Sequence, residues 1–298
     1  MNMKKLLALV LAVLLACGAL MPVSLAETQG LYEYKIKEDG TAEITAADKN
    51  IKDGNIPAEL DGHKVTSIGE DAFYQCGKLT EVKIPEGVTE IGRMAFGVCS
   101  RVKTVSLPEG LVSIGDSAFT GCAGLKSVSI PDSVTDIAEN AFMFCRNLAS
   151  FQVSATHPVY VFNCKALINK QDMTLLRYAD AKGGEYEVIW GIKRIGEAAF
   201  SGTKVTSVVL PQTVTEIGNL AFGSSSLKEI TLPKSVEKVE SQAFFSCKGL
   251  KSVIILNDAV ELAGGLVDYS KNAKVKGHAG STAQKYCENN SIKFEELK

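Results

Sequence analysis

The sequence is poor in histidine, with three in 298 residues, and His63, His157 and His278 are far apart in the chain. No local pair exists for acid–base work or metal ligation. HExxH, GxSxG and GxGxxG are also absent, so the usual sequence carriers of zinc-peptidase, hydrolase and dinucleotide chemistry are missing. The cysteines never take CxxC spacing, which removes the common zinc pattern. There is no run of Lys and Arg, and that argues against nucleic acid as partner. Beyond Ala26 no apolar stretch approaches the length needed to cross a bilayer. Trp190 is the only tryptophan, and no aromatic stripe offers a platform for sugars. The expectation is a protein that is not an enzyme and carries no cofactor and no metal.

What the chain does contain is one phrase written four times at an interval of 23. Ile68, Ile91, Ile114 and Ile137 keep that step, as do Phe73, Phe96, Phe119 and Phe142, then Cys76, Cys99, Cys122 and Cys145. Leu79, Val102, Leu125 and Leu148 follow, and Pro85, Pro108 and Pro131 punctuate the phrase. A fixed period of 20 to 50 residues is the signature of a solenoid, because one repeat cannot bury its apolar side chains alone. About eight coils are expected from Val65 to Ile255, with parallel strands about 4.8 Å apart.

Met1 to Ala26 stands apart from this pattern. Lys4 and Lys5 precede the apolar run Leu6 to Leu15, and Ser24, Leu25 and Ala26 form a small-residue cleavage pattern, so residues 1–26 read as a secretory signal. A competing reading makes Cys17 a lipoprotein cysteine, although Leu15 before Ala16 fits that box poorly. Without Lys4 and Lys5 the mature chain has 30 basic against 34 acidic residues, a net charge near −4.

Five of the seven mature cysteines (Cys76, Cys99, Cys122, Cys145, Cys247) share one repeat position. Neighbouring coils bring them close, but parallel Cβ directions suit a disulfide poorly. They are expected as buried free thiols filling space. Where Phe and the next anchor are six residues apart the Cys is present. Where the gap is five, as from Phe200 to Val205 and from Phe222 to Leu227, it is absent.

In chain order, Tyr32 to Ile44 reads as a hairpin around Asp39-Gly40 that caps the stack. Each coil then holds a VTEIG strand, an Ala-Phe turn or single helical turn, and an LxxVxIP strand, with Gly92, Gly115, Gly196 and Gly218 permitting a bend. From Ile137 to Ile195 is 58 residues, two repeats plus 12, so the segment 154–190 is an irregular coil with an inserted hairpin around Asn169 to Asp172. The repeats resume at a step of 22 through Ile195, Ile217 and Val239 and end near Ile255. Ser281 is expected to cap a short helix over Thr282 to Glu288, followed by a last strand at Ile292 to Phe294. The predicted organisation is signal 1–26, opening β cap 27–64, repeats 65–153, irregular coil 154–190, repeats 191–256 and closing α/β cap 257–298.

These residues resemble the BspA-type leucine-rich repeats of bacterial and protist secreted and surface proteins. The likeness rests on SIGxxAFxxCxxLxxVxIPxGVxxIG, on the opening YEYKIKEDGTAEIT, on the island KALINKQDMTLLRYA and on the terminal GHAGSTAQKYCENNSIKF. It covers about 31 to 295. The resemblance implies a mainly β solenoid and a role in adhesion, host-protein binding or interaction scaffolding. One departure is Val188-Ile189-Trp190-Gly191, which stands where the phrase calls for Ile-Pro-x-Gly. No cell-wall sorting motif and no second hydrophobic anchor are found, so secretion is expected over surface attachment.

A binding module fits the pattern, since outward strand residues are free to vary. The expected partner is a host or extracellular-matrix protein, with an assembly scaffold or a secreted hydrolase as alternatives. The outward candidates include Lys83, Lys103, Lys126 and Lys228, in a row that equally suits a merely solvated face. Tyr160, Phe162, Tyr178, Tyr186 and Trp190 concentrate in the irregular coil. Either they plug the gap between the two arrays, or Trp190, Tyr178 and Tyr186 form an exposed protein-binding patch.

Overall fold

The computed structural model describes residues 26–297. The expected signal at 1–26, with Cys17, lies outside the described residues except for Ala26. The chain winds into a β-solenoid of about 11 turns. Both caps wind as coils, which adds to the eight expected between Val65 and Ile255. Ala42–Ala47 already pairs in parallel with His63–Ile68, and Asn55 bridges to Lys83, so the opening hairpin leads into a full coil beneath the first repeat.

Each coil has three sides. The first is a ladder of short parallel strands in which Ile68, Ile91, Ile114 and Ile137 stand in register, fully or almost fully buried. After the irregular coil it resumes with Leu175, Ile195, Ile217, Val239 and Leu262. Where glycine follows the isoleucine the coils are crowded, although Ala138, Glu240 and Ala263 stand at the same position in other coils. A Cβ on Gly92 would lie 2.9 Å from the backbone of Gly69 and Glu70, and one on Gly218 would lie 2.8 Å from Glu197 N. The expected special bend is thus a close approach of successive coils.

The second side stacks the LxxVxI segments, with Val82 on Val105, Val128 on Phe151, and later Val208, Ile230, Val253 and Val275 in one column. This column also corrects the expected end of the repeats. Ser252–Ile255 pairs with Lys274–Gly277, and Glu261–Leu262 pairs with Lys238–Val239, so one more coil follows Ile255. It escaped notice because Leu266-Val267 replaces Ala-Phe.

The third side is neither strand nor helix. The residue before Ala-Phe has positive φ in every coil but that of Asn140 (Asp71 57°, Met94 51°, Ser117 54°, Leu220 52°), and so does the second residue after Phe (Gln75 61°, Val98 60°, Ser224 56°). Left-handed backbone at a non-glycine residue costs roughly 1–3 kcal/mol. Here it turns alternate N–H groups along the solenoid axis: Asp71, Phe73 and Gln75 donate to Arg93, Ala95 and Gly97 carbonyls at 2.7 to 3.0 Å. Met94, Phe96 and Val98 repeat the pattern to the next coil. Inward from this ladder the phenylalanines stack, with ring centroids 4.9 Å apart for Phe73 and Phe96, 5.4 Å for Phe96 and Phe119, and 5.5 Å for Phe119 and Phe142.

Cys76, Cys99, Cys122, Cys145 and Cys247 are buried free thiols, as expected. Their description as space-fillers is incomplete. The Sγ of Cys99, Cys122, Cys145 and Cys247 donates to the carbonyl of Phe73, Phe96, Phe119 and Phe222 at 3.0 to 3.2 Å. In the coil after Cys247 a hydroxyl takes over, and Ser270 Oγ donates to Phe244 O at 2.7 Å. At these five positions a small buried donor ties one coil to the one before.

Between the arrays, Tyr160–Asn163, Ala166–Asn169 and Thr174–Tyr178 form a three-stranded antiparallel meander. Leu167 and Leu176 face the preceding core, while Ile168, Leu175 and Tyr178 face the following one. Side chains mend the ladders where the irregular coil has no repeat of its own. Tyr160 Oη accepts from Ile137 N at 2.8 Å and donates to Thr135 O, closing the edge of Asp136–Ile137. The buried His157 accepts Val159 and Tyr160 N–H at Nδ1, so Nε2 carries the proton and donates to Pro131 O at 3.0 Å. Arg177, 3% exposed, donates through Nη1 to Ser201 O, replacing the donor of the missing turn, and to Ala198 O, which also accepts from Ser201 N. Glu139 accepts from Glu197 N and pairs with Arg194, which also reaches Glu216 and Glu240.

The last coil is closed by the helix Thr282–Asn289, whose N-cap Ser281 accepts from Gln284 N. Its Tyr286 hydroxyl accepts from Leu266 N at 3.1 Å. Phe294–Glu296 then covers the second-side edge in parallel.

Candidate ligand-binding surface

Rigid inward columns fix what faces outward on the second side. Lys83 lies in register with Ser106. Lys103 donates its N–H to Thr80 O and Lys126 donates to Lys103 O, so Lys103 and Lys126 occupy adjacent rungs of a different row. All three are exposed. The structure therefore brings two of the three predicted lysines together and sets Lys83 in a neighbouring row. Thr206, Lys228, Lys251 and Lys274 form the corresponding row of the C-terminal array through the same N–H to O=C contacts.

Of the aromatic candidates, only Trp190 is a surface residue, 74% exposed. It stands at the turn position that Glu86, Glu109 and Asp132 occupy in regular coils, where a side chain has nothing to pack against. Gly191 behind it has φ 99° and donates to Thr213 Oγ1, so the turn keeps its geometry without the proline. Tyr178 and Tyr186 correct the expectation of an exposed patch: they are 1% and 8% exposed and belong to the C-terminal core. Tyr178 stands in the phenylalanine column, and its N–H donates to Ala199 O as Phe73 N–H does to Ala95 O. Burial pushes its hydroxyl up to about 12, with Asp180 adding to the effect. Tyr186 packs 4.6 Å from Tyr178, centroid to centroid, and seals the meander against the next coil. The two tyrosines are plug, and Trp190 is alone on the surface.

A second feature was not anticipated. The 22-residue step removes one residue from two successive loops, Gly202–Lys204 and Ser224–Ser226, where Thr203 and Ser225 take the cysteine position. Full-length loops flank them, one carrying Arg146 and one carrying Lys248. Gly202 is seated directly against Phe144 and Arg146, because the irregular coil puts no turn between them. Two short loops between two long ones leave a groove of about 630 Å³. Arg146, Lys204, Lys228, Lys248 and Lys251 line it, all exposed, with no carboxylate and no aromatic ring in the lining. Among the described residues none of these five cations has an ion-pair partner. The sequence signal was present in the change of step from 23 to 22, but Arg146 and Lys248 come to line one groove only through stacking of the two arrays across the irregular coil.

The three histidines remain apart: His63 against Gly40 O, His157 in the seam, and His278 with Asp258. Among the described residues no three His, Cys, Asp or Glu side chains converge as a metal site would require. No helix of the described residues is long and apolar enough to cross a membrane.

No curated protein matches the sequence. Solved structures do. A leucine-rich repeat protein from Eubacterium ventriosum superposes with a TM-score of 0.54 at 23% identity, covering 87% of this chain and 73% of that one. The pneumococcal vaccine antigen PcpA gives 0.52 at 18% identity, over 93% and 100%. A leucine-rich repeat protein from Bacteroides ovatus gives 0.51 at 23% identity, over 91% and 76%. At these identities the likeness is one of fold. The repeat profile described as the BspA type leucine rich repeat region matches six copies over residues 63–173 and 187–276, the second span passing Ile255 as the extra coil does. The chain belongs to the BspA-type leucine-rich repeat family.

Proposed function

We propose that this is a secreted or cell-surface protein that binds other proteins through the outward flank of its second side and catalyses no reaction. The observation that carries the reading is the arrangement of that flank. Buried Val, Ile and Phe columns hold its outward rows in fixed register over both arrays, so the exposed residues vary without disturbing the fold. Lys83, Lys103, Lys126 and Trp190 stand on exposed rungs and turns of this kind, where preorganised side chains lose little freedom on binding. The role implied by the resemblance to this family supports host-surface or extracellular-matrix proteins as the class of partner. The secretory signal expected at residues 1–26 supports the reading, since export would bring the chain to such partners.

The test applies the mature protein to an array of extracellular-matrix and host-surface proteins and, in parallel, to a broad hydrolase panel. Saturable capture without turnover is expected. Turnover on the panel would replace a binding role with a catalytic one, and failure of both arms would leave an assembly scaffold.

A further inference from the structure

We propose that the groove across the seam binds a carboxylate-rich, extended peptide segment of a partner protein. The inference rests on the protein-binding reading above and names the chemistry of the segment recognised.

The groove concentrates positive charge in a chain whose overall balance is acidic, with 34 acidic against 32 basic residues. Arg146, Lys204, Lys228, Lys248 and Lys251 converge on it with no carboxylate to neutralise them. Like charges held together repel, and a concave wall focuses their field, so an anion entering the groove relieves the repulsion. Ser224, Ser226 and Ser246 add hydroxyl groups to the same lining.

The class of anion follows from what else lines the site. Lys251 N–H donates to Lys228 O at 2.8 Å, which puts these lysines on adjacent rungs about 4.8 Å apart. An extended peptide presents alternate side chains about 6.7 Å apart on one face. Flexible lysine stems span that difference, and ammonium groups accept a carboxylate from any direction, with no need for a planar fork. The lining has no aromatic ring on which a sugar or a base would stack, and no exposed large apolar side chain to enter a lipid surface. A run of Asp and Glu in an extended segment meets all of these conditions.

The experiment measures fluorescence anisotropy of a labelled deca-glutamate peptide titrated with the full mature protein. Three proteins are compared: the unaltered chain, Lys228→Glu/Lys251→Glu in the groove, and Lys52→Glu/Lys64→Glu on exposed positions of the opening cap. The substituted side chains are exposed, and matching thermal midpoints establish that each variant folds. We expect saturable binding at low salt, a loss of at least about tenfold in the groove variant and a change within about twofold in the other. Raising salt from about 50 to about 500 mM should abolish it, since screening shortens to a few ångströms. No binding, or equal loss in both variants, overturns the proposal. Heparin that binds at least as tightly as the peptide also overturns it, by moving the site to anionic glycans. Failure of the peptide with array capture intact removes the acidic-segment assignment alone, whereas failure of the array removes the reading beneath it.

Discussion

Tyr178 stacks on Phe200 with ring centroids 5.2 Å apart and planes 25° apart. The irregular coil, which has no Ala-Phe of its own, thereby supplies an aromatic ring to the column that runs on through Phe222 and Phe244. We expect Tyr178→Ala to destabilise the C-terminal array by roughly 3–5 kcal/mol, as large aromatic truncations in cores do. Tyr178→Phe should be nearly silent, since it loses only the 3.3 Å hydrogen bond to Asp180. Urea unfolding of the two variants checks this. A small effect of the alanine would remove Tyr178 from the core column.

Thiol reactivity should separate the ladder from the hairpin turn. Burial pushes the Cys99 and Cys145 thiols up to about 12, and Cys122 and Cys247 are raised for the same reason. Cys164 is exposed. Titration of the folded mature chain should therefore find one fast thiol, and denaturant should release the rest. Disulfides between ladder cysteines in an intact-mass measurement would contradict the structure.

Acid should loosen the charged cluster on the first side. Burial alone would raise the Glu240 carboxyl, but Lys238 at 3.0 Å and Arg194 at 3.3 Å hold it down to about 2, against an ordinary 4.5. A folded value below the unfolded one stabilises fully above about pH 4.5 and loses that contribution as pH falls towards 2. The difference in thermal midpoint between the unaltered chain and Glu240→Gln should be largest above pH 4.5 and should close on acidification. A difference that stays constant across that window would show that Glu240 is not held this way.

Arg177 is a buried cation without a carboxylate, and burial lowers its guanidinium to about 10. Its place in the fold is explained by the Ala198 and Ser201 carbonyls it satisfies. Arg177→Met should cost roughly 1–3 kcal/mol by leaving the Ser201 carbonyl without its donor, while Ala198 O keeps the Ser201 N–H. Because neighbouring coils stabilise each other only pairwise, the loss at the seam should broaden or split the unfolding transition. A single transition at the original midpoint would refute the seam's dependence on this side chain.

The repeating core was legible because Ile, Phe, Cys and Leu recur at fixed steps, and recurrence identifies inward positions whatever the turn geometry. The left-handed residues of the third side were not. Asp71, Met94, Ser117 and Leu220 share a backbone conformation without sharing chemistry, since inter-coil hydrogen bonds enforce it. Plug and patch could not be told apart for Tyr178 and Tyr186 for a related reason: the irregular coil has lost the phrase that marks inward positions. Tyr160, His157 and Arg177 mend backbone edges, a role with no period to reveal it. The groove depends on loops brought together across the seam, beyond the reach of any local pattern.

The most direct test of the binding reading is amide hydrogen exchange of the protein with and without a partner captured from the matrix and host-surface array. We expect exchange to slow along the outward flank of the second side, in Glu81–Lys83, Lys103–Ser106 and Lys126–Ile130 of the first array or in Lys204–Val209, Ser226–Leu232 and Lys248–Ile255 of the second, with the first-side strands unchanged. Absence of any captured partner, or protection confined to the opening hairpin and the terminal helix, would contradict it.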